Sequence, residues 1–171
     1  DGYNQVTFYW TYPGSYEKCD MWIWFGDQPG KGHLFQECEY GAKVVLDVPA
    51  EVKEVGFIVR RDCSEPGGSS WGSATKDFDQ DRFAVVTGKE TIIYLKSGDP
   101  AQYISNDGGK TLFMAKKFTI AGMIDANTIE YQITPKATIT DPSQVKVFNG
   151  DRQVAIKSLS SLGKEATSGK I

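Results

Sequence analysis

The feature that most constrains the fold is a series of short segments rich in β-branched and aromatic residues, each closed by Gly, Pro, Asn or Asp. Residues 5–12 alternate and are rich in β-branched and aromatic types, which is typical of a strand, and residues 42–48 give a further strand that ends at Pro49. Residues 55–60 are almost continuously apolar, as in a fully buried strand. Such strands recur about every 8–15 residues without a convincing helical period. The pattern predicts an all-β protein built as an antiparallel β-sandwich.

The series is interrupted between residues 97 and 110, where two turn-rich stretches predict a domain boundary. We expect a first β-sandwich at 1–104, of immunoglobulin-like or jelly-roll-like type, and a second small β-sandwich at 105–171. Strand patterns at 112–118, 128–134 and 145–148 support the second domain, as does a hairpin signal at Asn149 and Gly150. The tail from Ser158 shows no closing strand, so this domain is expected to be truncated or to end in disorder.

Charge and cysteine usage exclude several classes of protein. The net charge of −3 argues against nucleic-acid and membrane-surface partners, because both attract a basic face. The sequence has no run of 18 apolar residues that could span a membrane. Cys19, Cys38 and Cys63 cannot all pair within one chain and match no zinc spacing. Free thiols, or one disulfide with one free thiol, both remain open.

Catalytic motifs are missing from the sequence. No pair of carboxylates stands out as a glycosidase pair, and a Ser/His/Asp triad would have to use His33, which lies beside glycines. Asp77, Asp79 and Asp81 alternate, but they lack the Gly and Glu of a calcium-binding loop. We therefore expect no catalytic residue, no metal and no cofactor.

Two tryptophans carry the clearest functional signal. Trp22 and Trp24 lie two residues apart in the predicted strand 20–25, so both side chains leave the same face, roughly 6.5–7 Å apart. Adjacent indoles form an apolar platform that suits the C–H face of pyranose rings. The pattern alone leaves open whether this face or that of Met21 and Ile23 is the core. An outward pair of tryptophans is unfavourable in water unless it binds something.

A long loop at 63–81 supplies further candidates. Lys76 and Asp81 are suited to hydrogen bonding with vicinal sugar hydroxyls, although the pattern alone favours ordinary solvated charges. Trp71, in the same loop, is either a third wall of the site or an anchor for the loop. Long loops on β-sandwiches often carry function.

Five motifs occur together and in order: VTFYW at 6–10, MWIW at 21–24, VGFIVR at 55–60, KD at 76–77 and DRF at 81–83. Over residues 4–104 the chain resembles the family 41 carbohydrate-binding modules of bacterial type I pullulanases. The resemblance implies a non-catalytic β-sandwich that binds α-1,4-glucans such as starch, glycogen, pullulan and maltooligosaccharides. In this family two tryptophans stack on glucose while a Lys and an Asp bind hydroxyls, which corresponds to Trp22, Trp24, Lys76 and Asp81.

The same resemblance implies an extracellular, monomeric module attached covalently to a pullulanase catalytic domain, with the second domain as its immunoglobulin-like linker. The loop at 63–75 is longer than the family pattern and leaves the place of Trp71 open. The alternative is a structural or adhesion pair of immunoglobulin-like domains that binds a protein partner through the tryptophan face. Retention on amylose resin and release by maltose would separate the two.

Overall fold

The computed structural model describes residues 2–115, 117–134, 142, 145–161 and 168–170. These residues form seventeen β-strands and no α-helix, which confirms the predicted all-β class. Within the described part of the chain no helix is long and apolar enough to cross a membrane. The chain divides into two compact units, Asp1–Met114 and Ala115–Ile171. The division falls beyond residue 104 because one further short strand, Phe113–Met114, joins the first unit. The identities expected for the two domains stay predictions.

The first unit consists of two packed sheets. Its strands are β1 (Tyr3–Thr11), β2 (Asp20–Phe25), β3 (Gln28–Leu34), β4 (Gln36–Glu37), β5 (Ala42–Pro49), β6 (Glu54–Arg61), β7 (Thr75–Lys76), β8 (Arg82–Val85), β9 (Glu90–Lys96), β10 (Tyr103–Ile104) and β11 (Phe113–Met114). One sheet has six strands in the order β11-β10-β9-β1-β5-β4. The other has five, in which β3, β2 and β6 are neighbours and β7 and β8 both pair with β6. The pairing is antiparallel except between β1 and β9, which are parallel.

The core lies between the two sheets and is built from the inward side chains of alternating strands. Phe8 on β1 and Phe57 on β6 meet across the sandwich with ring centroids 4.9 Å apart. In β5 the side chains of Val44, Leu46 and Val48 are buried, while the intervening residues are not. Burying each such apolar side chain stabilises the fold by about 1.5–3 kcal/mol.

Burial fixes which way the tryptophan strand faces. Met21 and Ile23 on β2 are 0% and 1% exposed and belong to the core, so strand alternation turns Trp22 and Trp24 to the outer face. Neither tryptophan is part of the core cluster, and both are half-buried. The outward orientation that the sequence left open is therefore the one observed.

Strand β6 also presents two different faces, although its sequence is almost continuously apolar. Val55, Phe57 and Val59 enter the core. The intervening residues, among them Gly56 and Arg60, lie on the outer side beside Trp22 and Trp24.

The second unit has a small core of its own. Its strands are β12 (Lys117–Asp125), β13 (Thr128–Thr134), β14 (Val147–Asn149), β15 (Arg152–Val154), β16 (Ser160–Ser161) and β17 (Ser168–Lys170). One sheet has the order β12-β13-β17-β16, and β14 pairs with β15. Tyr131, Ile133, Val145 and Leu159 are buried together. The β14–β15 pairing confirms the predicted hairpin, with Gly150 at φ +64° in its turn.

Two predictions for this unit are wrong in detail. The tail contains the strands β16 and β17, whereas the sequence showed no closing strand. Backbone hydrogen bonds to β13 hold β17, so Ser and Gly suffice there and no apolar alternation is needed. The strand predicted at 112–118 is divided between β11 and β12.

Candidate functional site

Four aromatic side chains gather on the outer side of the five-stranded sheet, and we call them the aromatic face: Trp22, Trp24, Trp71 and Phe83. Phe83 lies on β8, where it pairs with Gly56 of β6, and its side chain is 46% exposed. Its ring meets that of Trp24 edge to face, with centroids 5.9 Å apart and planes at 86°. An apolar surface of this kind is unfavourable in water unless a partner covers it.

A glycine lies beneath each of the two strand tryptophans. A Cβ built on Gly30 would lie 2.2 Å from Nε1 of Trp22, and one built on Gly56 would lie 2.2 Å from Cε2 of Trp24. Each indole therefore occupies the space that a side chain would fill on a neighbouring strand. Trp22 leans towards β3 and Trp24 towards β6, so the two rings spread diagonally across the sheet.

The loop between β6 and β7 brings Trp71 onto this surface. The rings of Trp71 and Trp22 have centroids 5.3 Å apart and planes inclined at 57°. Of the two alternatives raised by the sequence, a third wall and a loop anchor, the contact with Trp22 is compatible with the first. Its role in binding stays a prediction.

A buried ion pair lies beside Trp22. Nε and Nη2 of Arg60 donate to Oδ1 and Oδ2 of Asp20 at 2.7 and 2.6 Å, and both side chains are 0% exposed. The hydrogen bond to Asp20 raises the pKa of Arg60. The guanidinium carbon lies 4.8 Å from the ring centroid of Trp22 and 5.0 Å from that of Trp71. One cation thus contacts both rings.

The two predicted polar residues lie at the margin of the aromatic face. Lys76 lies on β7 opposite Arg60 of β6 in the strand register. Its side chain is exposed, and its Nζ lies 6.0 Å from the ring centroid of Trp71. Asp81 is exposed and directly precedes β8, two residues before Phe83. The structure thus places one polar candidate near Trp71 and the other next to the strand that carries Phe83.

Asp77, next to Lys76 in the sequence, makes three contacts within the fold. Its carboxylate accepts hydrogen bonds from Ser97 Oγ at 2.6 Å and Gly98 N at 3.0 Å, and it pairs with Arg61 Nε at 3.2 Å. Asp79 and Asp81 are exposed. Across the described residues, no three His, Cys, Asp or Glu side chains gather as a metal site would require.

The three cysteines and His33 lie in the fold, outside the aromatic face. Cys19, Cys38 and Cys63 are free thiols, the first and third of them buried. Burial raises the pKa of Cys19 and of Cys63 to about 11 in each case. His33 belongs to β3, where its backbone pairs with Met21 of β2. Burial, with Lys31 nearby, lowers the pKa of His33.

Sequence reasoning missed five residues of this region as site residues: Phe83, Gly30, Gly56, Asp20 and Arg60. The glycines look like turn or weak-strand residues until the strand register shows which ring covers them. Asp20 had a usable signal, because it precedes Trp22 by two residues and so shares its face. Arg60 ends an apolar run, and only the pairing of β2 with β6 reveals its partner.

Residues 4–104 match the bacterial pullanase-associated domain, which is more than half of the chain. The chain belongs to this family. The pullanase-associated domain spans β1 to β10 and contains the whole aromatic face together with Lys76 and Asp81. No curated protein matches the chain in sequence.

Two solved structures similar to the chain come from streptococcal virulence factors. One, on α-glucan recognition by family 41 carbohydrate-binding modules, is 20% identical, has a TM-score of 0.43 and covers 60% of this chain and 46% of that one. The other, on α-glucan binding by a streptococcal virulence factor, is 23% identical, has a TM-score of 0.38 and covers 59% and 46%.

A third similar structure is the product complex of SpuA, a multi-modular glycogen-degrading pneumococcal virulence factor. It is 13% identical, with a TM-score of 0.43 over 99% of this chain and 23% of that one. The chain spans less than half the length of each of these structures.

Proposed function

We propose that the pullanase-associated domain binds α-1,4-linked glucan without catalysis, with Trp22 and Trp24 as the stacking platform and Trp71 as a further wall. Lys76 and Asp81 bind hydroxyl groups at the margin. The observation that carries the proposal is the outward position of both strand tryptophans, each above a glycine that leaves its indole close to the sheet. Sugar C–H groups stack on such rings and release water from apolar surface.

The inclination of the rings supports an α-glucan over a flat β-glucan. Trp22 and Trp71 are inclined at 57°, so the surface they form is curved. An α-1,4 linkage turns each glucose relative to the last, and the chain curves. A β-1,4 chain is a flat ribbon, which suits coplanar rings instead. Maltotetraose is therefore the ligand of choice, and cellotetraose is the matched control.

The wider setting is part of the same proposal. The domain targets an attached pullulanase catalytic domain to its substrate outside the cell, and it acts as a monomer. The family name, bacterial pullanase-associated domain, supports the association with a pullulanase. A non-catalytic role predicts that this chain alone releases no reducing sugar from pullulan.

Isothermal titration with maltotetraose tests the binding directly. We expect micromolar to sub-millimolar affinity, roughly −5 to −8 kcal/mol. Trp22→Ala and Trp24→Ala should each weaken it by about thirtyfold or more, as the loss of a central aromatic contact does. Tyr3→Ala is the matched control, because Tyr3 is an exposed aromatic residue, 64% accessible, on the other sheet.

Unchanged affinity in both tryptophan variants would refute the stacking role. Absence of maltotetraose binding by the unmodified chain, combined with failure to bind amylose resin, would refute the function itself. In that case the adhesion alternative, in which the aromatic face meets a protein, would gain support.

A further inference from the structure

The Asp20–Arg60 ion pair is buried on a face of the sheet that would otherwise meet water. Both side chains are 0% exposed although they lie on the outer side of β2 and β6. What covers them is the Gly/Ser-rich loop between β6 and β7. Gly67 N donates to Oδ2 of Asp20 at 2.8 Å, and Nη1 of Arg60 donates to the Ser70 carbonyl at 2.8 Å.

The same loop is tied to the edge of the sheet. Gly32 N on β3 donates to the Gly68 carbonyl at 3.0 Å. A Cβ on Gly32 would lie 2.3 Å from Oδ2 of Asp20, so only glycine fits where the loop, the strand and the carboxylate meet. Hydrogen bonds thus hold residues 67, 68 and 70 of the loop shortly before Trp71.

A buried ion pair is a poor way to gain stability alone. Removing two charges from water is costly, and well-packed apolar residues of similar size often serve a fold equally well. What the guanidinium provides is geometry, since its planar fork binds a carboxylate with two donors and still has a third for a carbonyl. In Arg60 each of the three guanidinium nitrogens donates one of these hydrogen bonds, and its flat surface contacts Trp22 and Trp71.

We propose that Arg60 and Asp20 are positioning residues that hold Trp71 against Trp22 and so give the glucan site its third ring before ligand arrives. This inference rests on the proposed function. A Gly/Ser-rich loop without these ties would sample many conformations, and ordering it would oppose binding. The ion pair acts through Trp71 and does not itself contact sugar.

The test is a double-mutant cycle between Arg60→Lys and Trp71→Ala, measured by titration with maltotetraose. Lysine keeps the charge but cannot supply the fork and the third donor together. We expect each single variant to lose about fivefold to tenfold in affinity, the size of one aromatic contact. The double variant should be no weaker than Trp71→Ala, because residues that act as a unit are non-additive. Losses that multiply would overturn the proposal, as would an unchanged Arg60→Lys variant.

A ligand-free measurement separates this inference from the proposed function. The Trp22–Trp71 pair should give a coupled near-ultraviolet circular dichroism signal that is lost in Trp71→Ala and in Arg60→Lys. If the unmodified chain fails to bind maltotetraose, the proposed function fails and this signal alone decides the positioning role. Retention of the signal in Arg60→Lys would overturn it.

Folding is checked by the thermal unfolding midpoint of each variant. If Arg60→Lys does not fold, Gly67→Ala acts from the loop side and leaves the ion pair intact. Gly67 has φ +81°, and a Cβ there would lie 2.9 Å from Cγ of Leu34, so the substitution displaces the loop. It should reproduce the loss seen in Trp71→Ala, and full affinity in a folded Gly67→Ala variant would overturn the proposal.

Discussion

The two outer faces of the first unit both carry aromatic clusters, but their rings are used differently. On the six-stranded sheet, Tyr9 stacks on Tyr94 with centroids 4.7 Å apart and planes at 10°, and Tyr40 meets Tyr94 edge to face at 5.0 Å. Tyr40 and Tyr103 also donate their hydroxyls to the Leu95 carbonyl and to Asp99. We call Tyr9, Tyr40, Tyr94 and Tyr103 the tyrosine cluster.

The tyrosines of the tyrosine cluster thus bind to one another and to the fold, whereas Trp22 and Trp24 lie above glycines and meet no parallel ring among the described contacts. Aromatic content alone would rank the two faces equally. The comparison teaches that the candidate binding face is the one whose half-buried rings stack on no other ring of the fold among the described contacts. The predictions below test this difference, beginning with the largest effect.

The largest expected effect concerns the ion pairs on the two faces. Arg60→Met leaves Asp20 buried without its cation and should lower the free energy of unfolding by about 3–5 kcal/mol. The pair of Lys96 with Asp99 beside the tyrosine cluster is partly exposed at 3.9 Å, so Lys96→Met should cost less than about 1 kcal/mol. Urea unfolding measures both.

The double variant Asp20→Leu with Arg60→Met is the control for this prediction. It removes both charges and should recover most of the lost stability, since no buried charge remains unpaired. A cost no larger for Arg60→Met than for Lys96→Met would contradict the difference between the two faces.

The next effect is the pH dependence of stability. The folded pKa of Cys19 and of Cys63 is about 11, above the ordinary value of 9.0, because burial disfavours the thiolate. Their contribution to stability is therefore complete below pH 9 and is lost as the pH rises towards 11. Unfolding measured from pH 8 to 11 should show a decline that is smaller in Cys63→Ser. A flat profile across this range would contradict the burial of both thiols.

A smaller effect on affinity comes from the glycines beneath the rings. Gly56→Ala places a Cβ 2.2 Å from the Trp24 indole, so the ring must move and maltotetraose affinity should fall by about tenfold. Gly109→Ala is the matched variant, because its Cβ would lie 2.4 Å from Tyr40 in the tyrosine cluster. It should lower the unfolding temperature and leave affinity unchanged. Equal loss of maltotetraose affinity in Gly56→Ala and Gly109→Ala would contradict the assignment of binding to the aromatic face.

The smallest expected effect is the loss of stability when one tyrosine hydroxyl is removed. Tyr40→Phe removes the hydrogen bond to the Leu95 carbonyl and should cost about 0.5–1.5 kcal/mol of stability. Tyr3→Phe, at an exposed position, should stay within about 0.5 kcal/mol of the parent protein. Weaker maltotetraose binding by Tyr40→Phe would show that the tyrosine cluster takes part in the site.

How much could be predicted from the sequence depends on how local each determinant is. Strands β5 and β2 follow from local sequence patterns, but only burial shows that the face of Met21 and Ile23 on β2 is the core. The outward residues of β6 were hidden because Ile58 is apolar and buried although it faces away from the core. Strand β17 was missed because its pairing with β13 and β16 joins segments that no local pattern brings together.

The candidate site divides in the same way. Trp22 and Trp24 could be found from their spacing, and Lys76 and Asp81 only from a family resemblance. The ties of Arg60 to Asp20 and to the loop required the register of two strands distant in sequence and a loop fold that no local pattern specifies.

The most direct test of the central claim is a crystal of this chain soaked with maltotetraose. The account predicts density for consecutive glucose units over Trp22 and Trp24, with the end near Trp71 curved around the inclined ring, and none on the tyrosine cluster. Glucose stacked on Tyr9 or Tyr40, with the aromatic face empty, would contradict it.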